Sequence, residues 1–253
     1  MNRLAPSAVL LASMIVVLAP NATNVRPAIV RRHDRPDSLY LALGAKYPAV
    51  GTVGHRGDGT LIAPTWVLTA AHIAANLDTS RVRVTLGGRE YAIRQAIVHP
   101  AWHELGPHDV GLLELAEPVT SVEPLSLYDG HDEVGKTAIL VGHGDVRPEG
   151  GHGGEWIRDG RARAATSVVQ GVDEGRLVFR FDEPPKGTDL QGAPGRGDSG
   201  GPALLTVDGA PRVAGVSSAG FDGKQGPGTY GAVDHFTRVS EHLDWIRGAM
   251  KSQ

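Results

Sequence analysis

A chain of 253 residues, 41% of them hydrophobic, is long enough to bury one large core or two small ones. Its formal net charge of −3 gives no excess of either sign that would hold a nucleic acid or an anionic membrane by bulk electrostatics. The 34 glycines and 17 prolines argue against a helical bundle and suit many short strands joined by turns, and with no cysteine the chain cannot form a disulfide.

Residues 1–22 read as a secretory signal. Arg3 supplies a small positive start, Leu4 to Leu18 is mostly apolar, and Ala19 to Ala22 offers a small-residue exit. The run is short for a membrane span and ends at Pro20, which leaves a retained anchor as the lesser alternative. Asn21-Ala22-Thr23 is formally a glycosylation sequon, but it lies in or beside this leader. Residues 23–28 contain Arg26-Pro27 and no periodicity, and read as a linker or short propeptide. The expectation is a chain beginning near residue 29 outside the cytoplasm, extracellular or periplasmic, with no membrane attachment after processing. Export normally permits disulfides, so a cysteine-free chain must rely on its core.

Strand-like stretches follow at Ala49–Val53 and Gly59–Pro64, and Thr65 to Ala71 leads into His72. Arg81 to Leu86 alternates with period 2, and Tyr91–Val98 is a further candidate strand. Asp109 heads the apolar segment Val110–Leu115, and Glu117 to Pro124 reads as a connection. Lys136–Gly144 is a strand, followed by a Gly- and His-rich loop over residues 145–154. His143 and His152 lack the spacing of a zinc motif, so no metal site is expected from them; calcium in a surface loop stays open, although no acidic loop has convincing spacing. His108 reads as exposed or packing. Strands are expected over Ala162–Gln170, Leu177–Phe181, Ala203–Val207 and Arg212–Ser218. Ser240 is placed to cap a helix whose Leu243 and Ile246 share one face.

The stretch with most chemical content is Gly195-Arg196-Gly197-Asp198-Ser199-Gly200-Gly201-Pro202. A serine hydroxyl becomes a useful nucleophile only when a base takes its proton, and the reaction also needs N–H donors aimed at the substrate oxygen. Glycines on both sides of Ser199 permit the tight backbone this requires. Alone, such a stretch is as well read as a glycine-rich turn. A lone His after two alanines is more often structural, and an Asp at the start of a strand often caps a turn. Thr69-Ala70-Ala71-His72 and His108-Asp109-Val110-Gly111-Leu112-Leu113 change those readings together, because they supply a base and an orienting carboxylate in the order His, Asp, Ser.

These three stretches resemble those of the trypsin/chymotrypsin-like serine proteases, and the likeness runs from Ile29 to Ile246. It implies an all-β fold of two antiparallel β-barrels with the active site in the cleft between them and a short C-terminal helix. The first barrel would span about 29–120, the second about 121–236 and the helix about 239–250. It implies a secreted serine endopeptidase working through an acyl-enzyme on Ser199, with His72 as general base and Asp109 as orienter. The N–H groups of Gly197 and Ser199 would form the oxyanion hole. No cofactor is implied. Partners would be protein or peptide substrates and a proteinaceous inhibitor, with no nucleic acid, and the chain would act as a monomer. Two other readings stay open: a silent protease-fold binding protein, and an esterase with weak peptidase activity.

The resemblance also assigns finer roles. A processed Ile29 would turn inward and pair its ammonium with Asp198, although Arg31-Arg32 stand where the family usually has glycines; the alternative is that Ile29-Val30 begins a strand. Ala193 would floor the primary pocket, with Ser218, Ala219 and Gly220 as one wall. The other wall depends on whether Pro227–Tyr230 or Phe236–Val239 matches the family segment. The second register brings Asp234 towards the pocket and a basic preference; without it the pocket takes apolar side chains. Gly57, Ile73 and Gly195 stand where animal members have cysteines, and His143 replaces a tryptophan. These departures suggest a bacterial type of member.

Overall fold

The computed structural model describes residues 29–104, 106–145, 158–221 and 229–251. The expected leader and linker, His152 and Pro227-Gly228 lie outside the described residues. Among those described, no helix is long and apolar enough to cross a membrane.

In chain order the elements are β1 (Val30–Arg31), α1 (Asp37–Gly44), β2 (Val50–Val53), β3 (Gly57–Ala63), β4 (Trp66–Thr69), α2 (Ala71–Ala74), β5 (Arg83–Leu86), β6 (Arg89–Val98) and β7 (Gly111–Leu115). They continue with β8 (Ser126–Leu127), β9 (Thr137–Gly142), β10 (Arg163–Asp173), β11 (Arg176–Arg180), β12 (Gly192–Ala193), β13 (Pro202–Val207), β14 (Ala210–Phe221), β15 (Val233–Arg238) and α3 (Leu243–Lys251). The first barrel closes in the order β2-β3-β4-β7-β6-β5, through the β2–β5 pairing. The second runs β13-β9-β10-β11-β15-β14 and closes through β13–β14, with β8 added in parallel beside β14. The two expected antiparallel barrels and the short C-terminal helix are thus observed.

Local chemistry sets the hairpins. Gly87-Gly88, Glu174-Gly175 and Asp208-Gly209 each join two strands, and both residues of each pair have positive φ. That backbone matches the right-handed strand twist, and Gly with Asp- or Glu-type partners is how a chain reaches it in two residues. In the first barrel the strands turn Leu61, Leu68, Leu86 and Leu112 inward, each 1% exposed or less. In the second, Phe179 and Phe236 meet edge-to-face with centroids 5.0 Å apart over Leu140 and Leu177 in the same cluster.

Three details differ from the sequence reading. Helix α1 is an element the periodicity did not disclose. It starts after Pro36 with Asp37 in its first turn, where a carboxylate suits the helix dipole, and Asp37 is gripped by Arg163 at 2.8 and 2.9 Å. Gly44 ends it against Ala162, whose carbonyl oxygen would lie 2.5 Å from any Cβ there. Ser240 does not cap α3: it sits in a 3-10 turn, Val239–Glu241, and its hydroxyl donates to Glu133 at 3.3 Å. Finally, β1 joins the second barrel's side of the molecule, pairing Val30 with Ala193.

Candidate active site

His72 is presented by α2, a single turn that follows directly on buried β4. Its Nδ1 lies 2.7 Å from Asp109 Oδ2, and its backbone N–H donates to Asp109 Oδ1 at 2.9 Å. Asp109 therefore fixes both the ring and the main chain of His72. The second barrel holds the same aspartate: the Ser218 hydroxyl donates to Oδ2 at 2.7 Å and the Thr237 hydroxyl to the Asp109 carbonyl at 2.9 Å. Burial alone would push the Asp109 carboxyl up, but the hydrogen bonds from His72 and Ser218 outweigh it and hold the group below its ordinary value. An ionised Asp109 accepts an Nδ1 proton, which leaves the Nε2 lone pair of His72 facing the cleft as a base.

Ser199 sits at the tip of a turn that only glycines allow. Gly197 and Gly200 have φ of +92° and +83°. A Cβ on Gly200 would lie 2.3 Å from the Asp58 carbonyl oxygen and 2.3 Å from Thr69 Oγ1. The turn is thus pressed against the end of β4, three residues from His72. The Asp58 N–H donates to the Ser199 carbonyl at 2.7 Å, and the Gly200 N–H to Ser217 at 2.8 Å. The N–H groups of Asp198, Gly200 and Gly201 all have protein acceptors; among the described residues those of Gly197 and Ser199 have none. These two N–H groups without acceptors lie at and beside Ser199; an oxyanion needs donors of this kind.

Beneath this turn lies a charge cluster in which Asp198 and His143, both singled out in the sequence, meet Asp58, which sequence reasoning missed. Asp198 is 1% exposed, and its carboxylate accepts the N–H groups of Gly144 at 2.9 Å and Gly195 at 2.8 Å. Asp58 is fully buried; its Oδ2 accepts the His143 N–H at 2.8 Å, and its Oδ1 lies 3.3 Å from His143 Nδ1, a charge contact without hydrogen-bond alignment. Burial and then the Asp58 charge push the Asp198 carboxyl up to about 8, and its two N–H donors offset only part. Burial would lower the His143 imidazole, but the Asp58 and Asp198 charges prevail and raise it. Ile29 is buried, but in the full chain its nitrogen is a peptide amide rather than an ammonium.

The pocket residues are placed as follows. Ala193 is buried in a small cluster with Val30, Phe181 and Ala232, against which Tyr230 packs. Ser218, Ala219 and Gly220 lie on β14, and Asp234 on β15 is buried directly across the ladder from Gly220. Beside His72 opens a cleft of about 550 Å³ whose lining includes Arg56, Trp102, Glu104 and Ala219. Arg56 donates to the carbonyls of His72 and Ala75 at 3.3 and 3.1 Å, and Arg158 would contact any Cβ on Gly197. The sequence signal for Asp58 and His143 was only that a tryptophan position held His; nothing local linked the two.

A family model described as Trypsin matches residues 42–246. The chain belongs to the trypsin family. It is 27% identical over 246 residues to the chymotrypsin-like elastase family member 1 of Rattus norvegicus, covering 91% of this chain and 90% of the relative. It is 32% identical over 197 residues to a trypsin of Simulium vittatum, covering 70% and 76%. The solved structure of neuropsin, a serine protease expressed in the limbic system of mouse brain, superposes with a TM-score of 0.63 at 23% identity, over 87% of this chain and 99% of that one. The trypsin-family chain is accordingly a serine endopeptidase, and its substrates are proteins or peptides.

Within this family member the Asp58–His143–Asp198 cluster gives stability a defined pH dependence. His143 and Asp198 both have folded values above their unfolded ones. Their contribution is present at low pH and lost as pH rises through the folded values. In the full-length Ser199→Ala chain, urea unfolding between about pH 6.5 and 8 should lose up to about 1.4 kcal/mol per pH unit for each proton involved. Asp58→Asn removes the charge that raises His143 and that adds to burial in raising Asp198, and should make this slope shallower. An unchanged slope in Asp58→Asn would show that the cluster does not set it.

Proposed function

We propose that the chain is a secreted serine endopeptidase that cleaves through an acyl-enzyme on Ser199. The observation that carries the reading is the Asp109 carboxylate, bonded at once to His72 Nδ1, the His72 N–H and the Ser218 hydroxyl. In this mechanism His72 Nε2 takes the Ser199 proton as Oγ attacks the peptide carbonyl. The tetrahedral oxygen gathers its negative charge against the N–H groups of Gly197 and Ser199. His72 then gives the proton to the leaving nitrogen, the C–N bond breaks, and water repeats the sequence to free the acid and regenerate Ser199. Asp109 stabilises the imidazolium that forms on the way.

Cleavage before Ile29 completes this reading. The new ammonium would supply Asp198 with the opposite charge that its burial demands and that Gly144 and Gly195 meet only with dipoles. The buried position of Ile29 and the pairing of Val30 with Ala193 support it. For the primary pocket, the position of Asp234 opposite Gly220 favours a carboxylate wall and substrates with Lys or Arg at the cleaved position; a pocket floored by Ala193 without it would take apolar side chains.

A fluorophosphonate should add one adduct to the wild type by intact mass and none to Ser199→Ala. That variant should lose at least about 10⁴-fold in turnover while its unfolding free energy stays within about 0.5 kcal/mol. Turnover at the wild-type rate in Ser199→Ala would end the proposal. N-terminal sequencing of the active form should begin at Ile29, and full activity from a chain starting near Thr23 would remove the ammonium–Asp198 pair. On matched Arg and Phe substrates, Asp234→Ala should lose kcat/KM for Arg by about 10²-fold or more and leave Phe nearly unchanged. Unchanged selectivity would leave Asp234 without a part in recognition.

A further inference from the structure

Three histidines from three parts of the chain converge close to Asp109, none of them among the residues that line the cleft. His99 follows β6, His108 precedes Asp109, and His242 sits between the 3-10 turn and α3. One nitrogen from each lies within 4.8 Å of the others. The backbone brings two of their segments together: the His99 N–H donates at 3.2 Å to the carbonyl of Val110, two residues beyond His108. We propose that His99, His108 and His242 form a site for a first-row transition-metal dication of the zinc type, tying the segment that carries Asp109 to the C-terminal helix.

The tautomers support this assignment. His242 Nδ1 lies 3.0 Å from the Arg238 carbonyl, which only an N–H can satisfy. Its Nε2 therefore presents a lone pair, which in the metal-free chain accepts from His108 Nδ1–H at 3.1 Å; an ion between them takes the place of that bond once the His108 proton moves to its own Nε2. A carbonyl that fixes the far nitrogen of an imidazole is the usual outer support of a metal-bound histidine. Zinc–nitrogen bonds of about 2.0–2.1 Å in a tetrahedron place ligand nitrogens about 3.4 Å apart, close to the His108–His242 separation. Imidazole is well suited to zinc, nickel and copper, and only neutral imidazole binds them. Burial and the neighbouring rings lower His99 to about 4 and lower His242 as well, so both rings are neutral near pH 7.

His99 is the adjustable ligand. It stacks on His108 with ring planes 10° apart and touches the edge of Trp245 at 4.8 Å between centroids. Two parallel rings cannot aim their lone pairs at one point, so binding turns His99 out of the stack, for which its half-exposed position leaves room. Partial exposure of His99 and His108 also leaves a way in for the ion and a fourth position for water. Three protein nitrogens and one water is a coordination set zinc accepts.

The test uses the full-length Ser199→Ala chain, so that self-digestion plays no part. Zinc added alone should bind at one equivalent by calorimetry and raise the thermal midpoint, as any ligand selective for the folded state must. Cobalt(II) in its place should give the intense visible bands of a four-coordinate ion. His99→Ala and His108→Ala, at half-exposed positions, should each weaken zinc binding about 100-fold or more while the metal-free midpoint changes little. His242→Asn keeps a donor for the Arg238 carbonyl and should have the same effect. His72→Ala should bind zinc as the parent does. The proposal fails if the parent shows no one-equivalent binding, if the histidine variants bind as tightly as the parent, or if binding disappears in His72→Ala instead.

Discussion

The site depends first on a carboxylate that has no business being where it is. Asp198 must be buried because it forms the underside of the turn that exposes Ser199, and burial of a charge is tolerated only with hydrogen bonds or an opposite charge nearby. Gly144 and Gly195 supply two N–H groups, and those bonds shape the turn around the nucleophile. The positive φ of Gly197 and Gly200 follows from the same requirement: the chain has to double back over Asp198 and still leave the N–H groups of residues 197 and 199 pointing outward. Asp58 complicates the balance. Its main chain braces Ser199, while its side chain brings a second buried carboxylate that His143 answers. Here one residue position serves geometry through its backbone and imposes an electrostatic demand through its side chain.

The same logic joins the two barrels. His72 and Asp109 come from the first, Ser199 and Ser218 from the second, and the hydrogen bonds that matter cross the seam. Ser218 and Thr237 reach from β14 and β15 to the side chain and carbonyl of Asp109. Asp58 on β3 reaches to the carbonyl of Ser199. Neither half holds all of these residues, so the proposed chemistry requires both barrels folded and docked. A cleft at such a seam is also where a peptide can lie against polar groups from both sides.

How much of this was legible follows from how local each feature is. The stretches around His72, Asp109 and Ser199 stood out because each is short and its residue types are dictated by its immediate backbone, such as the glycines around Ser199; the structure brings His72 and Asp109 within 2.7 Å of one another. Helix α1 did not stand out, since its stability rests on Tyr40, buried and bonded to Gln191, and on Asp37 held by Arg163, both far along the chain. The apparent cap at Ser240 failed because Glu133, a partner over a hundred residues away, took the hydroxyl. His143 was noticed as an oddity, but its meaning lay in Asp58. His99, His108 and His242 each looked ordinary, because nine residues separate the first two and the third is on another element.

The absence of cysteine raises a last question, which is what stands in the place of covalent ties in this chain. Gly57 and Ile73, two positions where the resemblance places cysteines, face one another: a Cβ on Gly57 would lie 2.8 Å from Ile73 Cδ1. The isoleucine fills the space of both side chains, so packing stands where a bond would. Elsewhere buried ion pairs span long loops. Arg238 grips Glu133 with two bonds of 2.9 and 2.7 Å, and Arg163 holds both Asp37 and Asp159. Such pairs add little net stability, because desolvation offsets most of their attraction. Their value is directional: an arginine fork accepts a carboxylate in one geometry, whereas apolar contacts tolerate sliding. Packing therefore supplies most of the free energy in this chain, and the buried arginines select which arrangement of α1, β10 and the C-terminal segment it stabilises.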